Sequence, residues 1–160
     1  MEADNVITIY KMCKQDLDAV AEIEDECFTH PWGKRGMIET LRYKRYAAYT
    51  AQFGRITCGY LFYEIYKHRY NISTMAVAHD YRRLGVGTEL VNCLAKRLKP
   101  DGKNRITLHV RETNLEAQLF FRSYGFKATE VLRNYYDNER KEDSYLMKLE
   151  IGEPCRASRQ

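Results

Sequence analysis

The chain has 160 residues, of which 44% are hydrophobic and 30% are charged, and its formal net charge is +4. This balance is typical of a soluble globular protein that is large enough to bury a core of its own. No apolar run approaches the roughly 20 residues that cross a bilayer, and the small net charge is no evidence by itself for nucleic-acid binding.

From the N-terminus, the hydrophobic pattern predicts alternating strands and helices. Apolar residues at helical spacing over 15–28 predict a first helix, and Pro31-Trp32-Gly33 separates it from a second helix over 37–43. Phe53-Gly54-Arg55 predicts a hairpin turn. The first four predicted strands cover residues 6–10, 47–52, 56–66 and 72–78. The acidic side chains of the first helix, Glu22, Glu24, Asp25 and Glu26, are expected on its solvated face.

Beyond the fourth strand, a glycine-bearing loop leads into a third helix that ends before Pro100. A strand over 105–111 and a fourth helix over 114–123 follow, and Gly125 suits the left-handed cap of that helix. Two closing antiparallel strands are predicted over 126–133 and 145–151, on either side of a charged loop over 137–143.

These elements predict an α/β or α+β three-layer domain with a mixed sheet. We expect a single domain over 1–151 and a disordered tail over 152–160. The acidic N-terminus has no signal peptide, and the five cysteines form no C-x-x-C pair. We therefore expect a cytoplasmic protein with reduced thiols, and neither a zinc site nor a disulfide framework.

The loop after the fourth strand has the sequence Asp80-Tyr81-Arg82-Arg83-Leu84-Gly85-Val86-Gly87-Thr88. Such a turn directs backbone N–H groups outward at a helix start, where the helix dipole favours negative charge. Gly85 and Gly87 let an anion reach the backbone, and the two arginines suit a diphosphate. The segment lacks the Walker lysine, and position 90 is leucine where dinucleotide and kinase loops need glycine. We predict a pyrophosphate site, with an ordinary glycine turn as the alternative.

The spacing R-x-x-G-x-G in this loop resembles the acetyl-coenzyme A pyrophosphate loop of the GNAT acyltransferases. The matching segments that follow it in order are Leu108-His109-Val110-Arg111, Asn114, Phe120-Phe121-Arg122-Ser123-Tyr124-Gly125-Phe126 and Arg133-Asn134-Tyr135-Tyr136. With Pro31-Trp32, they resemble the protein N-terminal acetyltransferases, including the ribosomal-protein S18 alanine type. The resemblance covers roughly residues 5–151. It implies a sheet of about six or seven strands, splayed open near its middle, and four helices.

The resemblance also implies acetyl-coenzyme A as cosubstrate and no metal. The loop would bind the diphosphate, the backbone of the fourth strand would pair with the pantetheine arm, and the fourth helix would contact neighbouring cofactor atoms. The implied cofactor contacts are Met75, Ala76, Val77, Arg82, Arg83, Leu84, Gly85, Val86, Gly87, Thr88, Asn114 and Phe121. Asn114 is equally well explained as a helix N-cap. Many family members have a tyrosine at the position of Phe121, and that tyrosine can protonate the departing thiolate. Phenylalanine cannot do so, and no general acid is therefore assigned.

His109 is the candidate general base. It lies on the less apolar face of the strand over 105–111, and an unperturbed histidine pKa of about 6.5 suits the removal of a proton from an amine, through water. In the resemblance this position belongs to the base. A hydrogen-bonded structural histidine is the alternative.

Two aromatic pairs are candidates for acceptor binding. The resemblance implies that Tyr135 and Tyr136 close over the first residues of the acceptor and that Pro31-Trp32 forms the opposite wall. Adjacent residues of a regular strand point to opposite faces, so only one of the two tyrosines would line the pocket from a strand. Core packing is the alternative for this pair.

Together these residues predict direct acetyl transfer, in a ternary complex, to the α-amine of a protein N-terminus. Ribosomal protein S18 is one candidate acceptor, and no cysteine acyl-enzyme is expected. One alternative is an acetyltransferase of lysine side chains or small-molecule amines. The other is a weakly catalytic acyl-coenzyme A sensor, which Phe121 favours. We expect a monomer or weak dimer that binds neither nucleic acid nor a membrane.

Overall fold

The computed structural model describes residues 5–136 and 141–152. Seven strands and four α-helices lie in these ranges, with 3-10 turns at Lys14–Asp16 and His79–Tyr81. In chain order the elements are β1 (Ile7–Lys11), α1 (Leu17–Cys27), α2 (Gly33–Leu41), β2 (Tyr46–Phe53), β3 (Ile56–Ile65), β4 (Arg69–Val77), α3 (Val86–Ala95), β5 (Arg105–Arg111), α4 (Leu115–Tyr124), β6 (Lys127–Leu132) and β7 (Ser144–Glu150). No helix within the described ranges has both the length and the apolar character needed to span a membrane.

The seven strands form a sheet with the order β1-β2-β3-β4-β5-β7-β6. The β1–β2, β2–β3, β5–β7 and β6–β7 pairs are antiparallel, whereas β4 and β5 are parallel. The mixed α/β fold with seven strands and four helices is therefore confirmed. The parallel pairing runs only from Arg69 with Arg105 to Ile72 with Leu108.

Internal contacts divide the chain into two compact units. The first unit consists of Met1–Ile65 and Ser73–Lys96, and the second of Tyr66–Ile72 and Arg97–Gln160. The single domain expected over 1–151 stays a prediction. Residues 137–140 of the predicted charged loop, residues 153–160 of the predicted tail, and Cys155 lie outside the described residues.

In the first unit, one face of α1 builds the core. Leu17, Val20, Ile23 and Glu24 are its buried positions, spaced by three or four residues as on one side of a helix. Leu17, Val20 and Ile23 belong to a hydrophobic cluster whose other buried members come from α2, β2, β3, β4 and the position just after β1: Met12, Met37, Ala48, Tyr60, Phe62 and Ala76.

The second helix begins at Gly33, earlier than the predicted Met37. The reason lies in α1, because the Glu24 carboxylate accepts a hydrogen bond from the Trp32 N–H just before the first turn of α2. Trp32 is the N-cap of α2, and a carboxylate that accepts from the N-cap N–H plays the part of the acid in a capping box, although here it comes from another helix. The fourth strand also begins earlier than predicted, at Arg69, whose backbone pairs with Arg105.

A glycine in β3 allows α3 to lie close to the sheet in the first unit. A Cβ at Gly59 would lie 3.1 Å from the Ala76 carbonyl oxygen and 3.1 Å from Cγ1 of Val86. Because Val86 is the first residue of α3, Gly59 sets how closely the start of that helix approaches the strands.

In the second unit, β5 separates an apolar face from a polar one. Ile106, Leu108 and Val110 are buried, and Arg105, Thr107, His109 and Arg111 alternate with them. Asn114 is the N-cap of α4, since its side chain accepts a hydrogen bond of 3.2 Å from the Ala117 N–H. Gly125 follows the helix with φ +124°, a left-handed conformation that suits glycine.

Candidate functional site

The loop between β4 and α3 contains a run of backbone N–H groups that make no hydrogen bond among the described residues. Gly85 is the N-cap of α3 with φ +90°, and Arg83 has φ +62°. Among the described residues, the N–H groups of residues 83–88 donate no backbone hydrogen bond outside α3. The next N–H group along the chain, that of Glu89, donates to the Gly85 carbonyl at 3.0 Å. A run of unpaired amides at a helix start is an anion-binding arrangement.

Arg82 and Arg83 differ in what they can offer an anion. The Arg82 Nε donates to the Val77 carbonyl at 3.0 Å, and its Nη2 lies 3.4 Å from the Cys27 Sγ. The Arg82 N–H also donates to the His79 carbonyl, at 3.3 Å. The Arg82 side chain therefore connects the loop to the end of β4 and the end of α1. The Arg83 side chain is exposed.

The edge of β4 next to this loop offers fewer backbone groups than predicted. The Ala78 N–H donates to the Cys58 carbonyl in β3 at 2.8 Å, so by strand alternation the backbone of Ala76 also faces β3. Of the three residues predicted to bind the pantetheine arm, Ala76 therefore has its backbone groups turned towards β3. The backbone of Met75 and the N–H of Val77 are left to bind a ligand. The Val77 carbonyl already accepts hydrogen bonds from Arg82 and from the Cys27 thiol.

A cavity of about 550 Å³ lies in the first unit, and we call it the aromatic cavity because three aromatic side chains line it. Its wall contains the predicted Trp32, together with Gly36, Thr40, Tyr43 and Tyr46. The Trp32 ring packs edge-on against Phe62 with 5.5 Å between the ring centroids. Pro31 is exposed and does not line this cavity.

Glu24 fixes the position of Trp32, a role that sequence analysis missed. It was expected on the solvated face of α1, but only 1% of its surface is exposed. Burial raises the pKa of this carboxyl group, and the hydrogen bond from the Trp32 N–H opposes that shift. Its spacing of seven from Leu17 and four from Val20 places it on the apolar stripe of the helix, and this spacing is the signal that could have found it.

His109 lies in the second unit with its ring stacked on that of Tyr135. The ring centroids are 4.8 Å apart and the planes differ by 14°. Burial lowers the pKa of His109, the charge of Arg69 lowers it further, and Glu130 partly opposes the shift. The Nδ1 atom is buried and has no hydrogen-bond partner among the described residues. These surroundings favour a neutral imidazole at pH 7, which is the form that accepts a proton.

Tyr135 and Tyr136 follow the end of β6, so strand alternation does not separate them. Their rings contact each other edge-on at 5.0 Å. Tyr135 is 49% exposed, whereas Tyr136 lies under the Arg111 guanidinium at 3.8 Å. Burial raises the pKa of the Tyr136 hydroxyl, so it stays protonated and able to donate a hydrogen bond.

Carboxylates hold the segment that carries these two tyrosines. Glu142 accepts hydrogen bonds from Arg111 at 2.8 Å and from Thr113 at 3.3 Å. Asp143 accepts from the Asn134 N–H at 2.8 Å and from Arg133 at 2.9 Å. The hydrogen bond from the Asn134 N–H is the main reason that the pKa of Asp143 is lowered. Sequence analysis gave these acids no role, because their partners come from distant positions in the chain.

Phe121 belongs to an aromatic cluster in the second unit. It is 6% exposed and contacts Phe120 and Phe126 edge-on, at 5.0 Å and 5.2 Å between ring centroids. Tyr124 packs against Phe126 at 5.9 Å. The contacts of Phe121 and Asn114 with a cofactor stay predictions.

Residues 17–126 match the acetyltransferase (GNAT) family. The chain belongs to this family. It is 27% identical to the [ribosomal protein bS18]-alanine N-acetyltransferase of Escherichia coli K12, over 90% of this chain and 97% of the relative. It is 33% identical over 88 residues to N-alpha-acetyltransferase 50 of Danio rerio, covering 54% of this chain and 52% of the relative.

The fold agrees with this assignment. The crystal structure of the ribosomal-protein-S18-alanine N-acetyltransferase from Escherichia coli matches with a TM-score of 0.81 and 25% identity, over 95% of this chain and 98% of that one. The protein is thus an N-acetyltransferase of the GNAT type, and the predicted family and enzyme class are confirmed.

Proposed function

We propose that the protein transfers the acetyl group of acetyl-coenzyme A to the α-amine of a protein N-terminus, with ribosomal protein S18 as the first candidate acceptor. The observation that carries the proposal is the run of unpaired amides over residues 83–88 at the start of α3. The acceptor class is supported by the names of the relatives, which act on S18 or on N-terminal amines.

The loop residues fit the diphosphate of acetyl-coenzyme A. The amides from Arg83 to Thr88 would donate to its oxygens, and the exposed Arg83 would add a positive charge. Met75 and Val77 would bind the pantetheine arm through the backbone of β4. When bound, the thioester supplies an activated acetyl group and a thiolate leaving group.

His109 would remove the proton that makes the acceptor amine unreactive. A free α-amino group has a pKa of about 7.7–8.0, so much of it is protonated at neutral pH. The lowered pKa of His109 keeps the imidazole neutral and ready to accept that proton, directly or through one water. Phe121 has no hydroxyl, so no side chain is assigned to protonate the departing sulfur.

Direct transfer fits the surroundings of Cys27, Cys58 and Cys93 better than an acyl-enzyme on one of these three residues does. Burial raises the pKa of Cys27, of Cys58 and of Cys93. A raised pKa lowers the fraction of nucleophilic thiolate at neutral pH. Tyr135 and Tyr136, held by the carboxylates beside them, would contact the first residues of the acceptor.

Acetylation assays on paired peptides test the acceptor class. One peptide carries the S18 N-terminal sequence with a free α-amine, and its partner has the same sequence with a blocked N-terminus and a free lysine. We expect coenzyme A release and acetyl incorporation with the free α-amine only. Acetylation of the blocked peptide alone would contradict the proposal. Binding of acetyl-coenzyme A without turnover on either peptide, or on small amines, would favour the sensor.

A further inference from the structure

The second unit contains a polar cavity of about 330 Å³ that the catalytic roles above leave unexplained. Among the described residues that line it, Arg69, Arg105 and Lys148 are positively charged and Glu130 is the one acid. We call it the basic cavity. It lies on the polar face of β5, because Arg105, Thr107 and His109 all line it.

Two donor groups of the basic cavity have no acceptor among the described residues, whereas Arg105 donates to the Asn104 side-chain oxygen at 3.4 Å. The Arg69 Nε is buried and makes no hydrogen bond within the described residues, and its guanidinium is held over the Tyr66 ring at 4.1 Å. Asn71 accepts from Thr107 at 2.9 Å through its oxygen, which leaves its NH₂ group to donate. Across the described ranges, no ion pair within 4.0 Å joins Lys148 or Arg105 to an acid. Unpaired donors and excess positive charge favour an anion as ligand.

His109 lines the same cavity and so connects it to the proposed base. Arg105 and His109 are four residues apart on β5, which places them about 13 Å apart along the strand. An extended polypeptide bound beside the strand has the same rise of about 3.3 Å per residue, so four of its residues also span about 13 Å. If its amine lies at His109, the side chains of its third to fifth residues reach the positively charged part of the cavity.

We propose that the basic cavity binds a carboxylate side chain at the third to fifth residue of the acceptor polypeptide. This inference rests on the proposed function, because it takes the acceptor to be a polypeptide whose α-amine lies at His109. The cavity would thus add an acidic preference to an enzyme whose first contacts with the acceptor are aromatic. The guanidinium groups of Arg69 and Arg105 would bind the carboxylate oxygens, and Lys148 would add a point charge.

Three peptides of one sequence, with glutamate, glutamine or lysine at positions three to five, test this preference. We expect kcat/KM for the glutamate peptide to be about tenfold above that for the glutamine peptide, which is the gain that one charge-assisted hydrogen bond provides. The lysine peptide should have the lowest kcat/KM of the three. In Lys148→Gln the glutamate-to-glutamine ratio should fall towards one. Lys99→Gln removes an equal charge from an exposed turn outside the cavity and should keep the wild-type ratio.

Direct binding separates this inference from the proposed function. The affinities of the glutamate and glutamine peptides are measured by calorimetry in the presence of coenzyme A, and inorganic phosphate is titrated as a competitor. A glutamate preference in binding that Lys148→Gln removes supports the inference, even if no peptide is acetylated and the proposed function fails. Equal affinities for the two peptides overturn it, as does a ratio that both lysine variants keep. Phosphate binding without any glutamate preference would assign the cavity to a free anion and overturn it too.

Discussion

The two proposed anion sites of this protein are built from different parts of the chain. The site at the start of α3 is formed by consecutive backbone amides, over residues 83–88. The basic cavity is formed by side chains from β4, β5, β6 and β7. A site of backbone amides depends on local conformation alone, so a short motif can encode it. A site of side chains depends on which strands are neighbours and in what register, and many different sequences can encode it.

The largest expected effect comes from placing a charge in the backbone site. Gly87→Glu puts a carboxylate in the first turn of α3, where it suits the helix dipole but repels a diphosphate. One pair of like charges about 4 Å apart at a protein surface costs roughly 4 kcal/mol, so we expect acetyl-coenzyme A to bind about a thousandfold more weakly.

Calorimetry measures that affinity, and Gly87→Gln is the matched control with the same volume and no charge. The neutral variant should lose much less affinity than Gly87→Glu, and thermal unfolding should show that both variants are folded. Equal affinities for wild type and Gly87→Glu would contradict a backbone site for the diphosphate, because the diphosphate would then bind elsewhere.

His109→Gln tests a site made of side chains. It should lower kcat by roughly a hundredfold or more, which is typical of a lost general base, and leave the affinity for acetyl-coenzyme A unchanged. Because burial and the charge of Arg69 lower the pKa of His109, the wild-type kcat should rise with pH along a limb whose midpoint lies below about 6.5. Rapid-mixing or steady-state assays across this range measure the limb. A limb that persists unchanged in His109→Gln would assign it to another group.

Gly59→Ala tests how the fold supports the backbone site. The added methyl group would lie 3.1 Å from the Ala76 carbonyl and from Val86, which is closer than ordinary contact. We expect unfolding to become easier by about 1–3 kcal/mol, the usual cost of overpacking, as measured by urea denaturation. The displaced start of α3 should also weaken acetyl-coenzyme A binding. A variant of wild-type stability would show that α3 moves without cost.

Gly36→Ala is expected to change the free energy of unfolding least, and to raise it where Gly59→Ala lowers it. Gly36 lies inside α2, and a Cβ there would meet only the Trp32 Cβ, at an ordinary 3.4 Å. We expect a gain of about 0.5–1 kcal/mol, the difference between alanine and glycine in a helix. Denaturation alongside Gly59→Ala gives a matched pair. Destabilisation would show that the wall of the aromatic cavity is more tightly packed than these distances indicate.

The same contrast explains how much could be predicted from the sequence. Hydrophobic periodicity gave the helices and strands, and the bounds of β5 were predicted without error. The loop over residues 82–88 was predicted because its glycines and helix start are local features. The start of α2 was missed because the carboxylate that accepts from its N-cap N–H is that of Glu24, which belongs to α1. The basic cavity was missed because Arg69, Arg105 and Lys148 meet only through the pairing of β4 with β5 and of β5 with β7.

The tyrosine pair shows the same limit. Its motif was recognised, but its geometry was predicted from strand alternation, which does not apply beyond the end of β6. The contacts that hold the pair involve Arg111 and Glu142, which are distant in sequence. Local chemistry could therefore be predicted from the sequence, whereas contacts between distant elements could not.

Amide chemical shifts measured during a titration with acetyl-coenzyme A test directly whether the backbone amides at the start of α3 bind the diphosphate. We expect the N–H signals of Arg83 to Thr88 to undergo the largest shifts, and to shift far less with a fragment that ends at pantetheine and lacks the diphosphate. Saturable binding that leaves these amide signals in place would contradict this expectation.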